Sequence, residues 1–247
     1  EHDNGEEEFR LWHLQGAQAT YLADWNAGNR APVGGTDGMD AYDFVQGNHP
    51  YQKAGLVLYQ LRYEIGEDAF RSGIRAFVRA HANGLAGTGD FQAAMESASG
   101  RDLDWFFEQW IRRMGHPVFQ VAHGYDAASG EAVVTVRQVQ LVQAKDAALQ
   151  ARWFRGSVDI AIDGVVHRVQ LQARHENTFR FPASDAPRLV RFDHGAHWIM
   201  EVEEAKPRDE WLWQLRHDDD VRGRQQAADA LVALAGDAAT PAAERAA

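Results

Sequence analysis

Apolar side chains recur at helical spacing through the first 115 residues and alternate with polar ones after that. Residues 6–25 carry Phe9, Trp12, Leu14 and Leu22 among polar neighbours, which predicts a helix packed on one side. The stretch from Asn26 to Gly47 is punctuated by Gly28, Pro32, Gly34, Gly35, Gly38 and Gly47 and reads as a loop. Pro50 then suits the first turn of a helix, and Leu58, Leu61 and Ile65 carry that helix on to a stop at Gly66. A further helix over 68–79 places Phe70, Ile74, Phe77 and Val78 together. Thr88 or Asp90 can cap the next, which holds Phe91, Ala94, Met95 and Ala98 and is stopped by Gly100. Asp102 caps a short aromatic helix over 103–113, with Trp105, Phe106 and Trp110 as core and Arg112 and Arg113 at its negative end.

At Gly115-His116-Pro117 the proline breaks the helical pattern and period-two alternation follows. Strands are predicted near 118–122, 132–141, 153–162, 165–173, 178–181, 189–192 and 198–202, and Asp163-Gly164 supplies a two-residue hairpin turn. Seven short strands separated by turns predict a small antiparallel β-sandwich. From Pro207 the spacing is helical again through Trp211, Leu212 and Leu215. Asp218-Asp219-Asp220 then stands as a solvated cap, or as a cation site, before Val221, Ala227, Leu231 and Leu234. The chain thus divides into 1–115, 116–205 and 206–247, an α + β multidomain arrangement.

Composition narrows the function. With 45% hydrophobic and 25% charged residues the chain is globular, and its apolar runs are too short to span a bilayer, as expected for a soluble protein of the cytoplasm or periplasm. A net charge of −11 with scattered arginines opposes a nucleic-acid partner. The absence of cysteine excludes disulfides and thiolate metal sites. The opening at Glu1 reads as the end of a longer helix, and Leu231 and Leu234 form an apolar face with no later helix to cover it, so the chain reads as a piece of a larger protein.

Candidate chemistry centres on Tyr51. At a helix start its phenol is either a hydrogen-bond donor facing a cleft, where the helix dipole favours developing negative charge, or an aromatic staple. Tyr51-x-Lys53 before an apolar helix, Gly66-Glu67-Asp68-Ala69-Phe70, Trp105-Phe106-Phe107-Glu108-Gln109-Trp110 and Gly115-His116-Pro117-Val118 together resemble the gluzincin aminopeptidase family of aminopeptidase N and leukotriene A hydrolase. The resemblance implies that 1–115 is the all-α C-terminal part of a thermolysin-like catalytic domain. It further implies that the sandwich follows and that 206–247 starts a helical-repeat domain, with Leu215-Arg216-His217-Asp218 at its opening. It also implies a zinc-dependent enzyme removing N-terminal residues from peptide substrates, in which Tyr51 donates a hydrogen bond to the tetrahedral intermediate. Ala54 stands where the family's motif has glycine.

The metal half of that chemistry is not found in the sequence. A zinc site of this class needs a His-Glu-x-x-His helix, and His175-Glu176-Asn177-Thr178-Phe179 begins correctly but lacks the second histidine and lies between strands. His194 and His197 have a metal-like spacing but fall in a turn. Zinc is therefore expected in the complete parent enzyme, bound by no residue of this chain, which alone should be inactive. A non-catalytic interaction scaffold derived from the same family is the alternative. Serine-elbow, phosphate-loop and cysteine-nucleophile motifs are missing.

Overall fold

A computed structural model describes residues 5–34, 49–143 and 147–236. The predicted 26–47 loop therefore lies, from residue 35 onward, outside the described residues. Helix α1 (residues 6–26) is π-helical over Phe9–Leu14 and α-helical over Gln15–Asn26. Helix α2 (residues 49–65) opens with a π-helical turn, His49–Lys53, and continues as Ala54–Ile65. Gly66, at φ 88°, ends it while its N–H bonds Arg62 O at 2.9 Å. Helices α3 (Glu67–Ala80) and α4 (Thr88–Ser99) pack closely because Gly73 faces Met95: a Cβ there would meet the sulfur at 2.7 Å. Asp90 caps α4 from inside its first turn, accepting the Gly87 N–H at 2.8 Å. Val78 lies outside the core face its spacing suggested and is exposed.

Asp102 accepts the Asp104 N–H at 2.9 Å and starts α5 (residues 104–112), which is α-helical over Asp104–Phe107 and π-helical over Glu108–Arg112. Its buried Trp110 is the hinge of the structure. The indole stands 4.9 Å from Phe154 and 5.8 Å from Trp198, ring centre to ring centre, and so packs helical and β residues into one apolar core. Beside it the Gln109 amide accepts the Arg155 N–H at 2.8 Å and donates to Arg155 O at 3.1 Å. Glu64 of α2 accepts the Ser157 N–H at 2.9 Å.

The strands are β1 (Val118–Asp126), β2 (Glu131–Gln138), β3 (Gly156–Ile162), β4 (Val165–Leu171), β5 (Glu176–Pro182), β6 (Val190–Phe192) and β7 (Glu201–Ala205). They form two sheets, β5-β2-β1-β7 and β4-β3-β6. The sheets face each other through Phe119 and Phe192, 5.3 Å apart, over buried Val121, Val134, Val136, Val158 and Ile160. Asp163 (φ 47°) and Gly164 (φ 84°) make the expected tight turn, setting Ile162 opposite Val165.

One expectation is corrected. The sandwich is not wholly antiparallel, because β7 runs parallel to β1, with Val118 opposite Glu201. The chain leaves the first sheet after β5, crosses to the second as β6 and returns on β1's open side, the long connection that a parallel pair requires.

Helices α6 (Arg208–His217) and α7 (Val221–Gly236) follow. The aspartates between them differ from a solvated cap: Asp218 and Asp220 are buried and only Asp219 is exposed. Arg191 of β6 pairs with Asp218 at 2.6 Å, and both capping bonds are made, Asp220 N–H to Asp218 Oδ1 and Arg222 N–H to Asp220 Oδ1, each at 3.0 Å. Gly223 admits this pair, since a Cβ would sit 2.0 Å from Asp218 Oδ2.

Trp110→Ala should destabilise the protein by about 3–5 kcal/mol, the usual cost of deleting a fully buried aromatic. Urea unfolding followed by tryptophan fluorescence and circular dichroism measures it; a loss under about 1 kcal/mol would show that the helices and sheets do not share this core.

Candidate active site

The site begins with spacing. Residues two apart on a helical turn point to nearly opposite sides, so Tyr51 and Lys53 cannot share a face. Tyr51 is 59% exposed, whereas Lys53 is 0% exposed and lies among the largest buried side chains. The first turn of α2 thus presents a phenol outward and drives an amine inward. Pro50 costs this turn nothing, since its missing N–H would be unpaired there in any case.

Beneath the turn lies a buried polar chain. Tyr21 of α1, fully buried, bonds His116 Nδ1 at 3.0 Å, and His116 Nε2 bonds Glu201 of β7 at 2.9 Å. The tautomer follows from the partners. The His116 contact holds Glu201 below the usual carboxylate range, so Glu201 can only accept; Nε2 then carries the proton and Nδ1 accepts from the Tyr21 hydroxyl. Burial pushes the His116 pKa down despite Glu201, and burial raises that of Tyr21, so both rings stay neutral. Trp25 packs edge-on against His116 at 5.3 Å.

Lys53 completes the floor. Its Nζ donates to Arg113 O at 3.5 Å, just beyond the C-terminal end of α5, and stands 5.8 Å from the Tyr21 ring centre. Burial alone lowers its pKa to about 7. The motif spacing contained the signal for this burial, although lysine is ordinarily a surface residue.

The remaining candidates separate. His194 Nε2 faces Asp219 at 3.5 Å, while His197 stacks on Tyr63 with ring centres 3.9 Å apart, and burial depresses the His197 pKa to about 4. Glu176 opens β5 and pairs with Arg137 at 2.7 Å, and His175 lies in the bend before it, so the pair is not part of a metal helix. Among the described residues no three metal-ligating side chains converge, so these residues do not fit a zinc site. Among them, too, no helix is long and apolar enough to cross a membrane.

The structure aligns with Legionella pneumophila aminopeptidase A, solved in complex with aspartic acid, with a TM-score of 0.66 and 16% identity over 80% of this chain and 23% of that one. Residues 6–110 match the peptidase family M1 domain. Aminopeptidase N of Streptomyces lividans is 34% identical over 88 residues, 36% of this chain and 10% of the relative; aminopeptidase N of Escherichia coli is 30% identical over the same length and shares. The tricorn protease-interacting factor F2 of Thermoplasma volcanium is 34% identical over 71 residues, 29% of this chain and 9% of the relative. Over residues 6–110 the chain is thus similar to peptidases of family M1, the aminopeptidase family its motifs resemble. It spans about a tenth of the length of these curated relatives.

Tyr21→Phe would leave His116 Nδ1 buried without a donor. Stability at pH 7 should fall by about 1–3 kcal/mol, measured by urea unfolding. Because burial holds the His116 pKa below its unfolded value, the native imidazole resists a proton that the unfolded one accepts, and stability should decline as pH drops through about 6.5. A His116→Gln variant showing the same decline would assign it elsewhere.

Proposed function

We propose that this chain is part of a zinc-dependent aminopeptidase that removes N-terminal residues from peptides. In this reading 1–115 complete the catalytic domain, 116–205 form the sandwich and 206–247 begin a helical domain. In the same reading the metal ligands belong to sequence outside the chain. One observation supports the role of Tyr51: its ring is exposed at the start of α2 while its neighbour two residues on is wholly buried, so the turn is anchored and the phenol faces outward.

The chemistry follows from the phenol. Addition of water to a peptide carbonyl places negative charge on its oxygen, and a donor already aimed there stabilises that charge without reorganising. A phenol hydroxyl is a hydrogen-bond donor, and it can serve that oxygen by donating without transferring its proton. The positive end of α2 acts in the same direction. Zinc, held by the rest of the protein, would supply Lewis acidity at the same carbonyl.

In the complete enzyme Tyr51→Phe should lower kcat by about a hundredfold with little change in KM, because the bond strengthens mainly in the transition state. Near-normal kcat would leave Tyr51 as an aromatic staple. The chain by itself should retain no stoichiometric zinc after dialysis against a mild chelator and should show no peptidase activity; metal analysis that finds one zinc per chain would overturn the assignment of the ligands to other sequence.

A further inference from the structure

Lys53 is the least conventional group in the structure. Its amine is fully buried, it has no carboxylate partner among the described residues, and its one hydrogen bond is long. The groups that face it come from several elements: the Tyr21 ring from α1, the Arg113 carbonyl beyond α5, and His116 before β1. Arg30 adds positive charge near His116, and Glu201 brings a carboxylate to the far ring nitrogen of His116.

Magnitudes decide which form of the amine this place accepts. A cation over a tyrosine face and at the carbonyl end of a helix gains only modest, partial stabilisation. Desolvating an ammonium costs more than both together even after relaxation. Burial therefore wins, and the neutral amine is the form that fits. An added proton makes the side chain seek water, and any such movement pulls on the turn that carries it.

We propose that Lys53 is a positioning residue for Tyr51: as a neutral amine seated between Tyr21 and the Arg113 carbonyl it holds residues 49–53 in the turn that presents the phenol, and its protonation loosens that turn. The consequence for catalysis rests on the reading of Tyr51 given above; the coupling between the two residues does not.

The chain contains three lysines, Lys53, Lys145 and Lys206, so side-chain NMR of lysine-labelled protein is readily assigned with Lys53→Met. One ε-carbon resonance, missing in the variant, should titrate near pH 7, and the amides of Tyr51 and Gln52 should shift with the same midpoint in the wild type only. A Lys53 titration near 10, or one near 7 that leaves those amides unmoved, overturns the proposal. Stability adds a second measurement. The folded pKa lies below the unfolded one, so the cost of the buried charge is full below about 7 and vanishes above about 10. Lys53→Met should be the more stable protein at pH 6, with the gap closing by pH 10; a constant gap argues against a titrating lysine.

In the complete enzyme kcat should fall about tenfold per pH unit below the midpoint, and this limb should be absent in Lys53→Met while KM stays unchanged. If the NMR coupling holds but Tyr51→Phe is fully active, the positioning stands and the catalytic reading fails. If Tyr51→Phe is impaired but the coupling is absent, the reverse is true.

Discussion

Trp110 is the contact on which the remaining arrangement depends. A helix that exposed such a ring would gain nothing by forming, and a sheet packed without it would leave Phe154 and Trp198 facing water. Because the indole is shared, α5 is fixed against the sheets, and the last turn of α5 delivers the Arg113 carbonyl to Lys53. The path from core packing to a presented phenol is therefore short: aromatic seam, helix end, buried amine, exposed hydroxyl.

Much of this could be read in the chain beforehand, for identifiable reasons. Alternation marks strands such as β2 because one face is buried, whereas β3 and β6 are buried on both faces, and Asp163-Gly164 marks its turn because both residues must adopt positive φ. Strand β7 was expected three residues too early: Trp198 and Ile199 are apolar for the sake of the seam, not of a ladder, and pairing starts at Glu201. The direction of β7 was out of reach, since alternation records which face is buried and not which way the strand runs. Tyr51 stood out by type and position. The residues below it did not, because Tyr21, His116 and Glu201 are remote in sequence and each is unremarkable alone. The buried aspartates were misjudged for a similar reason: Asp218 and Asp220 look like surface caps until Arg191, some 27 residues earlier, is seen to reach them.

That Arg191 cluster also joins the two ends of the described chain. Arg10 of α1 lies 3.7 Å from Asp220, and Arg224 of α7 lies 3.3 Å from Glu7. The exposed pair is worth little, whereas the buried one is costly to break from one side, because the remaining charge would be left without a partner. The helical pair α6–α7 is thereby tied to the sandwich and to α1 together, and the sandwich is held at both ends rather than hinged at one.

Strand β7 has a last consequence, for life in a crowded solution. It forms one border of its sheet, a place where unpaired backbone groups could recruit a strand from another molecule. The strand is only five residues long and carries three carboxylates: Glu201 is engaged with His116, Glu203 with Gln120 and Glu204 with Lys206. An incoming strand would have to approach this row of negative charge and disturb three internal contacts to pair there. The carboxylates that stabilise the interior so also guard the sheet's border against aggregation.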